Sequence, residues 1–329
     1  MEVLNLFYEE PDPDRWVRFD NYPRRLFRRM IGRERPRGGQ AIVFINLCAG
    51  LDRIGVQYRV NDYRYIERHP AEIACVIGKV QVLDKLKWGN PIVFGASVFA
   101  HPVDCPDVFE RYPLRRLLVP GEWMKRMFER HYGSRIVQWP VGIDTDHWRP
   151  CGRAKEIDIL LYDKKRWDRE SFDSEFTDRI RTFLVKASIS FNELRYGSYR
   201  PEDLENMVQT CKAAVFICES ETQGLAYQQM LSAGLPLFVW DRQLHWYCPG
   251  YNVGEGESER ATSVPYWDER CGMTFKDVHE FETGFAEFMS KVGSGSFAPR
   301  DYILEHLTLE KCARHYVEII REVREEIGC

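Results

Sequence analysis

Short apolar runs alternate along the chain with longer stretches in which apolar positions recur at a helical period. In the first half, VLNLFY (3–8), VQYRV (56–60), ACVIG (74–78), PIVFGAS (91–97), RRLLVP (115–120) and RIVQWP (135–140) read as short buried strands. QAIVFINLCAGLDRIG (40–55) and EWMKRMFERHYG (122–133) have the helical period, and the first ends at Gly55, a suitable helix terminator. A polar connector, VGIDTDHWRPCGRAKE (141–156), then interrupts the pattern. Beyond it the alternation restarts. IDILLYD (157–163) predicts a strand, SFDSEFTDRIRTFLVKA (171–187) a helix, and ISFNELRYG (189–197) a strand running into a loop. RPEDLENMVQTC (200–211) predicts a helix, with Pro201 in its first turn beside acidic residues. AAVFIC (213–218) and LPLFVW (235–240) are the next strands, with a helix from about Leu225 to Ala233 between them. The closing LTLEKCARHYVEIIREVREEIG sets Leu309, Cys312, Tyr316, Ile319, Ile320 and Val323 near one face, an amphipathic helix. Four- to six-residue strands alternating with helices imply parallel sheets built from βαβ units. The expected fold is α/β, with two Rossmann-like halves joined near residue 150 and a cleft between them.

Bulk properties narrow the classes. A chain of 329 residues, 44% apolar, suffices for two cores of about 150 residues each. A net charge of −4 argues against a polycationic nucleic-acid binder, so no nucleic-acid partner is expected. No apolar run approaches the ~18 residues that a membrane helix needs. MEVLNLFYEEPDPD at the start lacks the basic opening and apolar core of a secretory signal. The ten cysteines are scattered without a single CxxC pair, which points to reduced, mostly buried thiols in a cytoplasmic setting and away from zinc.

Chemistry concentrates in ESETQGLAYQQMLSAGLPLFVWD (219–241). A strand leads through a glycine-containing turn into a helix start, which makes an anion site from free backbone N–H groups around Gln223, Gly224 and Leu225. Gly224 lets backbone approach a ligand closely. Glu221 stands just before this seat, and Gln229 lies eight residues after Glu221. At ~1.5 Å per helical residue that is roughly 12 Å, a span suited to a ligand with hydroxyls at both ends and a diphosphate between. A nucleotide-sugar has that shape; an ordinary βαβ turn with surface acids is the plainer reading.

ETQGLAYQQMLSAGLP resembles the donor-binding motif of family 4 retaining glycosyltransferases of the GT-B fold, which runs E-G-F-G-L, a second Glu eight residues after the first, then A-x-G-x-P. Glu221, Gly224, Leu225, Ala233 or Gly234, and Pro236 match, while Gln229 replaces the second Glu. Gln can still donate to and accept from a ribose diol, without charge. VPGEWMKRMFERHYGSRIVQWPVGIDTDHWRP (119–150) is similar to the end of the family's N-terminal domain, and RGGQAIVFINLCAGLDRIG (37–55) to its Gly-Gly loop and helix. The resemblance implies domains at 1–150 (acceptor side) and 151–305 (nucleotide-sugar side), with a helix at 306–329 crossing back to the first. It implies a hexose moved from a nucleotide-diphosphate sugar to a glycan, lipid-linked or small hydroxyl acceptor, with no metal and no other cofactor. DKKRWDRE (163–170) occupies the place that supplies cations to the donor diphosphate, so Lys164 and Arg169 are favoured, with Lys165 and Arg166 as further candidates. A solvated charge run is the alternative there. His101, ending GASVFAH (95–101), matches a histidine near the transferred sugar, or is a loop histidine without a role. Gly38 and Gly39 are candidates to bring amides to the donor phosphate or acceptor, or form a plain flexible turn, and Tyr199 is a candidate for the base pocket. Asp144 and Asp146 fall in the connector and match a structural aspartate, so no metal ligand set is expected.

RWVRFDNYPRRLFRRMIGRERPR (15–37) carries nine Arg against one Asp and one Glu, interleaved with aromatic and aliphatic residues. Such a segment suits peripheral contact with an anionic membrane near a lipid-linked acceptor, or is simply a solvated helix and loop. Two other functions stay open: another GT-B enzyme, such as a nucleotide-sugar epimerase or sugar phosphorylase, and a non-catalytic module that binds nucleotide or glycan.

Overall fold

Strands that are apolar on both faces demand a sheet covered on both sides, and each half of the chain builds one. The computed structural model describes residues 3–10, 38–96, 99–165, 176–254 and 256–328. The first sheet contains β1 (Leu4–Phe7), β2 (Tyr58–Val60), β3 (Ala74–Val76), β4 (Ile92–Gly95), β5 (Leu114–Val119) and β6 (Ile136–Gln138) in the order β2-β1-β3-β4-β5-β6. The second contains β7 (Ile157–Asp163), β8 (Phe191–Arg195), β9 (Cys211–Ile217), β10 (Leu237–Trp240) and β11 (Gly272–Phe275) in the order β11-β10-β9-β7-β8. Every pairing is parallel. In each sheet the order reverses once, between β1 and β3 and between β7 and β9. Open α/β sheets hold ligands beyond the carboxyl ends of their strands at such a reversal.

Ten helices are described, six of which follow the predicted periodicity. In chain order they are α1 (Gly39–Arg53), α2 (Tyr63–Arg68), α3 (Val108–Arg111), α4 (Glu122–Tyr132), α5 (Asp178–Lys186), α6 (Pro201–Thr210), α7 (Leu225–Ser232), α8 (Val278–Gly293), α9 (Pro299–His306) and α10 (Leu309–Ile327). The helix expected over 171–187 starts at Asp178, and residues 171–175 lie outside the described ones. The strand β11 and the helices α2, α3, α8 and α9 escape the sequence pattern. In β11, GMTF, only Gly272 and Phe275 are buried, so no apolar run marks it.

The closing helix α10 buries Ala313, Tyr316, Ile319, Ile320 and Val323 against the first sheet's core and α1, while Cys312 joins the second domain's core. Close approach is possible because Gly50 on α1 has no side chain: a Cβ there would lie 2.5 Å from the Leu309 carbonyl oxygen and 2.8 Å from the Ala313 Cβ. Trp139 fastens the same contact, donating to the Cys312 carbonyl at 2.9 Å and packing edge-on against Tyr316. Arg53 at the end of α1 reaches Asp144 at 2.7 Å and Glu310 at 3.1 Å, tying connector and closing helix to the first domain. No described helix is long and apolar enough to cross a membrane.

Candidate donor site

The site grows from the reversal point of the second sheet. β7 ends at Asp163, so Lys164 and Lys165 emerge from its carboxyl end, and β9 ends at Ile217, so Glu221 emerges from its neighbour. The Lys164 ammonium and the Glu221 carboxylate meet there as an ion pair, with side chains only 12% and 5% exposed. Lys164 Nζ also lies 4.6 Å from the centroid of the Tyr196 ring, a cation–π contact from the loop after β8. Burial, the largest single influence, would lower the Lys164 pKa, but the charge and hydrogen bond of Glu221, with Cys218 and Tyr196 nearby, together outweigh it and hold the ammonium above its usual value. Lys164 therefore carries its charge at neutral pH. Tyr199 stands close by, its hydroxyl 2.7 Å from that of Tyr162, and burial pushes both phenols up.

Backbone geometry after Glu221 is fixed by glycine. Gly224 sits at φ 78°, and a Cβ there would come within 2.5 Å of the Tyr227 ring. Only glycine fills such a position without strain. It starts α7, which leaves the first-turn N–H groups without helical partners. Gln223 was singled out for its backbone N–H, and its side chain has a task of its own. Its amide oxygen accepts from Val141 N–H at 3.0 Å, and its nitrogen donates to the Val141 carbonyl at 3.3 Å and to the Gln228 side chain at 3.0 Å. Gln228, fully buried, donates in turn to the Gln223 carbonyl at 2.6 Å. This clip holds the turn before α7 against the first domain. Leu225 likewise packs against the cores of both domains. Gln229 is half-buried on α7.

Other predicted residues separate into three groups. Gly38 and Gly39 are exposed at the start of α1, above the reversal point of the first sheet: Gly38 neighbours Glu10 beyond β1, and Gln40 nears Gly78 beyond β3. Lys165 is buried at 1% exposure, its N–H donating to Asp163 at 3.0 Å. His101 is also buried; Nδ1 accepts from Val103 N–H at 3.2 Å, Nε2 lies 3.0 Å from the Glu257 carbonyl, and the ring stacks on Trp246. Both ring nitrogens are thus engaged in holding a loop. Arg166, Arg169 and the basic segment 15–37 lie outside the described residues. Asp144 takes the structural part expected of it, accepting from the N–H groups of Asp146 and His147, both at 3.2 Å.

The segment from β10 to β11 was not legible as part of the site. Residues 244–246 and 259–261 form a short antiparallel ribbon that crosses to the first domain. Trp246 and Ala261 join that domain's core, Tyr251 donates to Asp104 at 2.7 Å, and Arg130 donates to the Gly256 and Ser258 carbonyls. Behind it the Glu221 peptide is held from both sides. Its N–H donates to the Thr262 carbonyl at 2.9 Å, and its carbonyl accepts from the Trp123 indole at 2.8 Å. Gly121 lets α4 come this close, since a Cβ there would lie 2.8 Å from the Thr222 carbonyl oxygen. The tryptophan, tyrosine and cysteine of WYCPGYN (246–252) were the available signal for a packed strap.

Two parallel sheets, each reversed once, joined by a connector and closed by a helix returning to the first, define one architecture. The chain has the GT-B fold. AviGT4, described as a glycosyltransferase involved in avilamycin A biosynthesis, shares it at TM-score 0.57 and 13% identity over 98% of both chains. A sucrose-phosphate synthase from Thermosynechococcus elongatus aligns at TM-score 0.57 and 11% identity, over 98% of this chain and 99% of that one. TarM aligns at TM-score 0.53 and 9% identity over 78% of this chain and 57% of its own. No protein-family model matches the chain, and no curated protein matches its sequence.

Proposed function

We propose that the chain is a retaining glycosyltransferase that moves a hexose from a nucleotide-diphosphate sugar to a hydroxyl of a glycan, lipid-linked or small acceptor, without a divalent metal. The observation that carries this reading is the buried Lys164–Glu221 pair at the reversal point of the second sheet, beside the glycine-opened start of α7. A diphosphate entering the crevice offers Lys164 a new anionic partner, and the N–H groups of Gly224 and Leu225 supply further donors. Glu221 is then released to accept hydrogen bonds from sugar hydroxyls. As negative charge builds on the departing diphosphate, the ammonium and the helix start stabilise it. The anchored Glu221 peptide and the Gln223 clip keep these groups in place. The solved glycosyltransferases of the same fold support the transferase reading. The basic segment 15–37 supports peripheral contact with an anionic membrane at the cytoplasmic face, where a lipid-linked acceptor would lie.

A second reading, a GT-B module that binds without turnover, is favoured by Gln229 in place of a carboxylate and by the engagement of both His101 nitrogens in a structural contact. One assay separates the two. UDP-, GDP- and ADP-hexoses are incubated with the protein in EDTA, and released sugar is followed by proton NMR. We expect slow release from one donor, first as the anomer present in that donor. Release of the opposite anomer refutes retention, loss in EDTA refutes metal independence, and no release from any donor leaves the binding module.

A further inference from the structure

A crevice of about 380 Å³ opens beside residues that hold the Glu221 peptide, walled by both domains. Glu122, Trp123 and Arg126 at the start of α4 form one wall, and Gln243, Arg260 and Thr262 of the β10–β11 segment form the other. Two of these, Trp123 and Thr262, are the residues that hold the Glu221 peptide. The crevice therefore lies one residue from the proposed donor carboxylate.

We propose that this crevice is a saccharide subsite, which takes an uncharged glycosyl unit of the acceptor beyond the unit that reacts. Its assignment to the acceptor rests on the glycosyltransferase reading; sugar binding itself does not. Three features point to this ligand class. The wall mixes guanidinium and amide donors with carboxylate, amide and hydroxyl acceptors, the set that vicinal hydroxyls need. Its charge is largely matched: Arg126 faces Glu122 at 3.7 Å and Glu259 at 3.4 Å, and Arg130 also pairs with Glu259. A phosphorylated or carboxylated ligand would be repelled by those carboxylates, whereas a neutral sugar can donate its hydroxyls to them. The volume falls at the small end of the roughly 300–1,000 Å³ typical of small-ligand pockets. Gln243 is held at φ 52°, a backbone conformation uncommon for a residue with a side chain and frequent at ligand clamps. Arg260, which donates to the Gln243 carbonyl at 3.3 Å, braces that turn.

The test uses the full chain on an array of neutral and anionic oligosaccharides, with saturation-transfer NMR on the hits, for the wild type, Gln243→Ala and Arg260→Ala. Both positions are exposed, and thermal melting checks that each variant stays folded. We expect neutral glycans to bind the wild type and each variant to weaken them by about tenfold, the worth of one hydrogen bond. Binding undiminished in both folded variants, no array glycan bound by the wild type, or preference for phosphorylated or sialylated glycans overturns the proposal. If nucleotide-sugars fail to bind while neutral glycans bind and follow Gln243 and Arg260, the subsite stands and the donor reading falls.

Discussion

Replacing Lys164 with Met while Glu221 stays leaves a carboxylate that is 5% exposed without its counter-charge. Breaking a buried pair from one side costs about 3–5 kcal/mol, because the surviving charge is stranded. Replacing both partners, Lys164→Met with Glu221→Gln, removes the charge along with its partner and should recover most of that loss. In a domain of 150–250 residues 1 kcal/mol moves the melting temperature by roughly 2–4 °C, so Lys164→Met should melt at least 6 °C below the wild type, with the double variant in between. The sign against pH follows from the raised Lys164 pKa. A group raised on folding contributes stability that is complete below its unfolded value of 10.5 and is lost as pH rises through the higher folded value. The gap between wild type and Lys164→Met should therefore be constant from pH 7 to about 10 and narrow in stronger alkali. Urea unfolding and thermal melting at several pH values measure both. A single variant within about 1 kcal/mol of the wild type, or a double variant less stable than the single, would refute the buried-pair reasoning.

Gly224→Ala forces a side chain into the left-handed region and against the Tyr227 ring; we expect a loss of about 2 kcal/mol or more by chemical denaturation, with nucleotide affinity reduced as the start of α7 shifts. Gly50→Ala meets the backbone of α10 and should cost about 1–3 kcal/mol, read as increased hydrogen exchange in α10; an unchanged protection pattern would show that the helix is not held this way. Burial alone would raise the Asp144 and Glu310 carboxyls, but hydrogen bonds, those from Arg53 among them, hold both below their ordinary values. Depressed carboxylates stabilise above their unfolded pKa values and lose that contribution as pH falls through the lower folded ones. Arg53→Ala should thus cost about 1 kcal/mol at pH 7 for these partly exposed pairs, and the difference should vanish as pH drops beneath 3.8.

Much of the fold could be read because parallel strands buried on both faces leave apolar runs too short for helices, and because α10 carries its apolar stripe over five turns. The strand β11 was missed since its four residues alternate with glycine and threonine beside a covering phenylalanine-rich helix. Within the candidate site, Glu221 and Gly224 were singled out by their places at a strand end and a helix start, where sequence distance translates directly into geometry, and Lys164 by the family resemblance. The tasks of Gln223 and His101 were not. Each bonds to a residue distant in sequence, Gln223 to Val141 and His101 to Glu257, and no local spacing encodes such a pairing. The strap from β10 to β11 escaped for the same reason, since its aromatic residues have no period and gain meaning only against the first domain's core.

The most direct measurement is calorimetric titration of the protein with UDP, GDP and ADP and their hexose conjugates, in EDTA, repeated on Lys164→Ala and Glu221→Gln. We expect one base to bind, Lys164→Ala to weaken the diphosphate at least tenfold, and Glu221→Gln to weaken only the sugar conjugate. Absence of binding by every nucleotide, or binding unaffected by either substitution, would contradict the assignment of this crevice to a nucleotide-sugar.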